Sequence, residues 1–105
     1  MILTINLSQP DRDLLYEISD WIYLENYDNR HLDCIYMKTC AERICRALYS
    51  GDDNYEIERR DLKNIRGAFS DFRNANPEKS QPSRELQHKL TELINEAEQD
   101  KEAME

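Results

Sequence analysis

Apolar and polar residues alternate along Ile2-Leu3-Thr4-Ile5-Asn6-Leu7, and this period of two predicts a short N-terminal strand or extended arm. Ser8-Gln9-Pro10-Asp11 then reads as a helix start. A serine hydroxyl can accept from exposed amides there, proline is tolerated in the first turn, and aspartate suits the positive end. From that point the period lengthens. Leu14, Leu15, Ile18, Trp21 and Ile22 mark the core face of a first helix running to about Asn26, with a turn over residues 27–30.

A second helix is predicted over residues 31–50. Leu32, Ile35, Tyr36, Met37, Cys40, Ile44, Ala47 and Leu48 cover more than half its circumference, and Lys38, Thr39, Glu42, Arg46 and Tyr49 form the polar strip. So wide an apolar arc predicts the central helix of a bundle. Gly51 stands where a helix C-terminus favours glycine, and Asp52-Asp53-Asn54 reads as a polar turn. Tyr55-Glu56-Ile57-Glu58 alternates again and predicts a short strand beside residues 2–7. A third helix over residues 59–74 carries Leu62, Ile65, Ala68, Phe69 and Phe72 on its core face and ends at Asn76-Pro77.

After a polar linker at 75–82, Ser80-Gln81-Pro82-Ser83-Arg84-Glu85-Leu86 echoes Ser8-Gln9-Pro10-Asp11-Arg12-Asp13-Leu14. The flanking residues do not continue the echo, so it reads as shared helix-start chemistry rather than a repeat. In the fourth helix Leu86, Leu90, Leu93 and Ala97 follow heptad spacing. Two heptads are too few for an independent coiled coil, so this stripe either docks on the domain or pairs with a second chain. The expected fold is mainly α: a compact bundle of about four helices with a short N-terminal strand paired to a second near 55–58. The domain spans 1–97, and residues 98–105 form an acidic, frayed tail.

A chain of 105 residues holds one modest core. Two glycines and three prolines encode few tight turns, which disfavours a sandwich or barrel. No apolar run approaches the roughly 18 residues needed to span a bilayer, and the first residues lack a basic region and a small-residue cleavage site. A cytoplasmic location is expected, with no membrane contact. Cys34, Cys40 and Cys45 share the second helix. Cys34 and Cys45 face the same way but lie about 16 Å apart along it, while a disulfide brings its Cα atoms within about 7 Å. The cysteines therefore read as small core residues in a reducing compartment, and no metal or cofactor is expected.

The net charge of −8 is uneven. Residues 10–33 carry seven acids and two bases, residues 34–95 ten acids and eleven bases, and residues 96–105 five acids and one base. On the first helix Asp13, Tyr16, Asp20, Tyr23 and Tyr27 step by three and four along one flank, opposite the predicted core. Tyrosine offers large contact area at low entropic cost, so this acid–tyrosine stripe is a candidate protein-binding surface. The bland alternative packs Tyr16 and Tyr23 under the last helix or the N-terminal arm. The third helix carries the opposite sign: Arg59, Lys63, Arg66 and Arg73 lie on one flank, a candidate phosphate contact if helices two and three act as a helix-turn-helix. Ion pairing with neighbouring carboxylates competes with that reading, and the acidic balance is unlike a DNA-binding domain. Gly67 falls mid-helix, where a close approach would justify it.

No catalytic pattern with specificity is present. Phosphate loop, nucleophile elbow and zinc-spaced histidine pair are all missing. His31 and Cys34 stand three apart but lack an orienting group and an oxyanion hole. Asp33 and Arg43 project toward the apolar side of the second helix, with Glu17 or Glu25 as expected partners of Arg43. The chain is therefore read as a small acidic protein–protein interaction module, an inhibitor or regulator rather than an enzyme. In size, charge and helicity it is similar to small acidic phage- or plasmid-encoded inhibitors, some of which imitate nucleic acid; no motif carries that likeness. The alternatives are a nucleic-acid-binding regulator using the third helix and a small-ligand binder at an oligomer interface. A homodimer through Leu86, Leu90, Leu93 and Ala97 is expected.

Overall fold

The computed structural model describes the backbone of residues 1–50 and 54–104 and the side chains of 1–49 and 54–98. Strand β1 (Ile2–Asn6) leads into helix α1 (Gln9–Glu25), followed by α2 (Leu32–Ser50), β2 (Asn54–Glu58), α3 (Arg59–Gly67), α4 (Phe69–Ala75), a 3-10 turn at Pro77–Lys79, and α5 (Ser80–Met104). The protein is a mainly α bundle with one two-stranded antiparallel sheet. The expected cap at Gly51 and the turn at Asp52-Asp53 lie outside the described residues.

The two alternating segments pair with each other. Leu3 lies opposite Ile57, Thr4 opposite Glu56 and Ile5 opposite Tyr55. Leu3, Ile5, Tyr55 and Ile57 point into the core, while Ile2, Thr4, Asn54 and Glu56 point out. The predicted cap at the start of α1 forms, with the Ser8 hydroxyl accepting from the Asp11 amide at 3.3 Å.

α1 and α2 make an antiparallel hairpin. Leu15, Ile18 and Ile22 of α1 meet Cys40, Ala41, Ile44 and Leu48 of α2 inside the core. α3 and α4 supply Leu62, Ile65, Phe69 and Phe72, and α5 supplies Leu86, Leu90 and Ile94. Trp21 of α1 meets Phe72 of α4 edge-on, with ring centroids 5.8 Å apart. Lys89 of α5 binds Asp11 at 2.8 Å, and Lys79 binds Glu17, so the first turn and the middle of α1 are tied to the last third of the chain.

Four expectations change. The single helix over 59–74 is broken after Gly67: Ala68 leaves helical geometry (φ −92°, ψ 1°), and its amide donates back to Ile65 at 3.0 Å. Nothing lies within 4 Å of the Cβ that Gly67 lacks. The glycine therefore admits no close neighbour; it marks the place where the helix is cheapest to interrupt. The linker at 75–82 is largely helical, because the 3-10 turn runs directly into α5. α2 is not central along its whole length, since Leu32, Ile35 and Tyr36 are exposed and only its later turns enter the core. The heptad stripe docks on its own domain. Leu86 and Leu90 are fully buried, and Leu93 and Ala97 pack partly against the same core. The stripe is consumed by the fold, so self-association through Leu86, Leu90, Leu93 and Ala97 would require α5 to detach.

α5 continues helically to Met104, and Glu98, expected at the start of a frayed tail, is held by Arg59 and Lys63. Among the described residues no helix is long and apolar enough to cross a membrane.

Replacing Gly67 with alanine should stabilise the protein by about 0.5–1 kcal/mol, because it removes unfolded-state freedom without a clash. Thermal unfolding should show a rise of a few degrees. Leu90→Ala, in the α5 contact, should cost about 2–5 kcal/mol by the same measurement.

Candidate protein-interaction surface

The acid–tyrosine stripe runs along the seam between α1 and α2 instead of opposite the core. Arg12 reaches across this seam to the Leu48 carbonyl at 3.2 Å, with its guanidinium 5.2 Å from the Tyr16 ring centroid. Tyr23 stacks at a tilt on Tyr27, centroids 5.6 Å apart, and Lys38 of α2 sits 5.2 Å from the Tyr27 ring centroid. Tyr16 and Tyr23 are half-buried and belong to the margin of the core. Asp13 and Asp20 are exposed, with Asp13 accepting from Gln9 and Arg12. The five residues are thus neighbours, but two of the three rings already work for the fold.

Leu32, Ile35 and Tyr36, which spacing assigned to the apolar arc of α2, lie at the surface, and so do Leu24, which had no assigned role, and Tyr27 of the stripe. Leu32 is 81% exposed, Leu24 62% and Tyr27 55%; Ile35 and Tyr36 are each 41% exposed, with the Tyr36 hydroxyl accepting from Asn64 of α3 at 3.2 Å. All five lie where the α1–α2 hairpin turns, in the last turn of α1, the connection, and the first turns of α2. The signal was the width of the α2 apolar arc. The neighbouring elements cover only the later turns of α2, so one edge of its wide arc stays open over the first turns. Asp20, Glu25, Asp28 and Asp33 lie on the same elements, and all four are exposed. The charged residues on the elements of the tip are therefore mainly acidic, with Arg30 and Lys38 of opposite sign among them.

This acidity reaches the cysteines. Burial, reinforced by the carboxylates of Asp20 and Glu42, pushes the Cys45 thiol up to about 11. Cys40 is also raised, first by burial and then by its hydrogen bond to Asp61, with Asn64 opposing. All three cysteines are free.

The basic flank of α3, continued by Arg73 of α4, faces α5. Arg59 binds Glu98 at 2.6 Å, and Lys63 reaches the same oxygen at 3.3 Å. Arg66 approaches the Thr91 hydroxyl at 3.5 Å, and Arg73 donates to Gln87 at 2.6 Å. Gln87 in turn donates to the Arg66 carbonyl at 3.1 Å. These four side chains are brought together as a clamp on the last helix.

The buried charge is Asp61, which is 1% exposed. Arg43 donates to both of its oxygens at 3.2 and 3.4 Å. The expected partners of Arg43 are placed elsewhere, Glu17 on Lys79 and Glu25 beside Trp21 and Met37, and Asp33 is exposed. Asp61 precedes Ile65 by four residues, so it stands on the apolar stripe of its own helix, a signal that the sequence did carry. A hollow of about 240 Å³ lies over the pair, lined by Ile2, Glu56, Ile57 and Glu58. A second, of about 380 Å³, lies between Trp21, Glu25, Met37 and Asp71. Among the described residues, no three His, Cys, Asp or Glu side chains are grouped to hold a metal ion, and no hydrogen bond joins His31 to Cys34.

Arg43→Met strips a buried carboxylate of its charged partner and should cost about 1–3 kcal/mol in denaturant unfolding. The arginine head is half exposed, which keeps the loss below that of a fully buried pair. Cys40 and Cys45 should resist iodoacetamide at about pH 8, because the thiolate is the nucleophile and both thiols are held protonated; peptide mass mapping reads the result.

Comparison of the chain with protein-family models, with curated proteins and with solved structures finds no match.

Proposed function

We propose that this chain is a protein–protein interaction module, an inhibitor or regulator that acts by covering part of a partner protein rather than by chemistry. The observation that carries this reading is the apolar tip of the α1–α2 hairpin: Leu24, Tyr27, Leu32, Ile35 and Tyr36 are each exposed at one end of the hairpin, on elements that also carry exposed acidic side chains. Exposed apolar side chains gathered in one place and rimmed by polar groups mark contact sites. Aromatic residues at the centre of such a patch supply most of the binding energy, and the charged rim governs approach and partner choice. The partner that fits has an apolar groove with a basic margin. Tyr16 and Tyr23 support the site by fixing the hairpin seam, and Asp20 contributes to its charge.

The basic flank of α3 supports a nucleic-acid reading less well, since Arg59 and Lys63 share Glu98 and Arg73 is engaged by Gln87. In the first hollow Arg43 is already paired with Asp61 beside two glutamates, and the second sets Glu25 and Asp71 among apolar groups, so neither favours a particular small ligand.

The test compares wild type with a Leu24→Ser, Leu32→Ser, Ile35→Ser variant in affinity capture from nuclease-treated lysate of the source cells. All three positions are exposed, so circular dichroism should be unchanged. Wild type should retain a stoichiometric protein through a high-salt wash, and the variant should lose it. A partner held equally by both, or capture that depends on nucleic acid and fails in high salt, would contradict the proposal.

A further inference from the structure

A two-stranded sheet has two edges, and here they differ. β2 packs against both α2 and α3, whereas the substantial partner of β1 is β2 alone. The register fixes which backbone groups of β1 look outward. The Arg59 amide donates to the Met1 carbonyl at 2.9 Å. This makes Ile2·Glu58 a non-hydrogen-bonded pair, and alternation makes Thr4·Glu56 another. The N–H and C=O of Ile2 and Thr4 therefore point away from β2, toward the open edge. Among the described residues, no hydrogen bond reaches them from outside the strand pair.

Natural edge strands are usually blunted by lysine, proline, a bulge or an inward-pointing charge. β1 reads Ile-Leu-Thr-Ile-Asn, with no charge and no proline. Ile2 leaves its side chain 64% exposed. β2, by contrast, carries Glu56 and Glu58.

We propose that the open edge of β1 pairs antiparallel with β1 of a second copy of this chain, about a two-fold axis through Thr4. The strand is self-complementary in this register. Thr4 faces Thr4 and exchanges two backbone hydrogen bonds, Ile2 faces Asn6, and Leu3 faces Ile5 on the core side. No like charges meet. The alternative β2–β2 pairing would set glutamates against each other, and β1–β2 pairing between copies would be head-to-tail and would not close at two chains. The two sheets merge into one of four strands, which relieves the marginal stability of an isolated strand pair. One short strand per copy makes a small interface, so the dimer is weak and concentration-dependent. The expected two-fold partner is thus retained, but at the opposite end of the sequence from α5, and it leaves the hairpin tip free.

Sedimentation velocity of the full chain, from low micromolar to millimolar concentration, tests this. Wild type should shift from the 12.5 kDa monomer toward twice that mass. Thr4→Pro should remain monomeric throughout. It removes an N–H that β2 does not use, and proline is tolerated on an edge strand for that reason. Circular dichroism should be unaltered. A wild type that stays monomeric throughout, or a dimer that persists undiminished in Thr4→Pro, overturns the proposal. If Thr4→Pro fails to fold, hydrogen exchange on the wild type decides: protection of the Thr4 amide that rises with concentration supports the pairing, and protection indifferent to concentration overturns it.

Discussion

The seam between α3 and α5 is the contact on which the rest of the molecule depends. α5 lays Leu86, Leu90 and Ile94 over the core, while Glu98, Thr91 and Gln87 engage Arg59, Lys63, Arg66 and Arg73 along its flank. A chain this small closes its core once. Closing it with α5 uses the leucine stripe that could have joined two copies and the cations that could have met phosphate. The apolar contact supplies most of the stability, because partly exposed ion pairs contribute little each. The polar flank fixes the helix in register.

What the seam does not use is thereby defined. The α1–α2 hairpin lies away from α5 for much of its outer face, and its tip keeps large apolar side chains in water. The β1 edge is likewise uncovered. These two surfaces are chemically different: one has side-chain area and mainly acidic charge, the other a row of neutral backbone groups. A bound protein and a second copy of the chain could occupy them together.

The elements were legible because their periods are clean. The alternation over 2–7 and 55–58, the serine cap before α1, and the core faces of α1 and α3 all follow from local spacing, and local spacing decides where a side chain can point. The misreadings share one cause. Leu32, Ile35 and Tyr36 are apolar on a real helix, but whether a helix edge is covered depends on neighbours that spacing does not name. Arg43 was placed toward the interior, yet its partner, Asp61, lies across a helix–helix contact. The break after Gly67 and the docking of α5 are likewise tertiary outcomes. The tyrosines were expected opposite the core, but a stripe beside a hairpin seam and one facing open solvent have the same sequence signature.

The claim that α5 is an integral part of the core, leaving the hairpin tip as the open apolar surface, is tested most directly by native-state hydrogen exchange of the purified chain. The amides of residues 86–94 should exchange only through global unfolding, together with those of α3 around Leu62 and Ile65. Exchange of α5 through a lower-energy opening, with α1 to α4 still protected, would contradict it: α5 would then be a detachable arm, and its leucines and the arginines of α3 would return as binding surfaces.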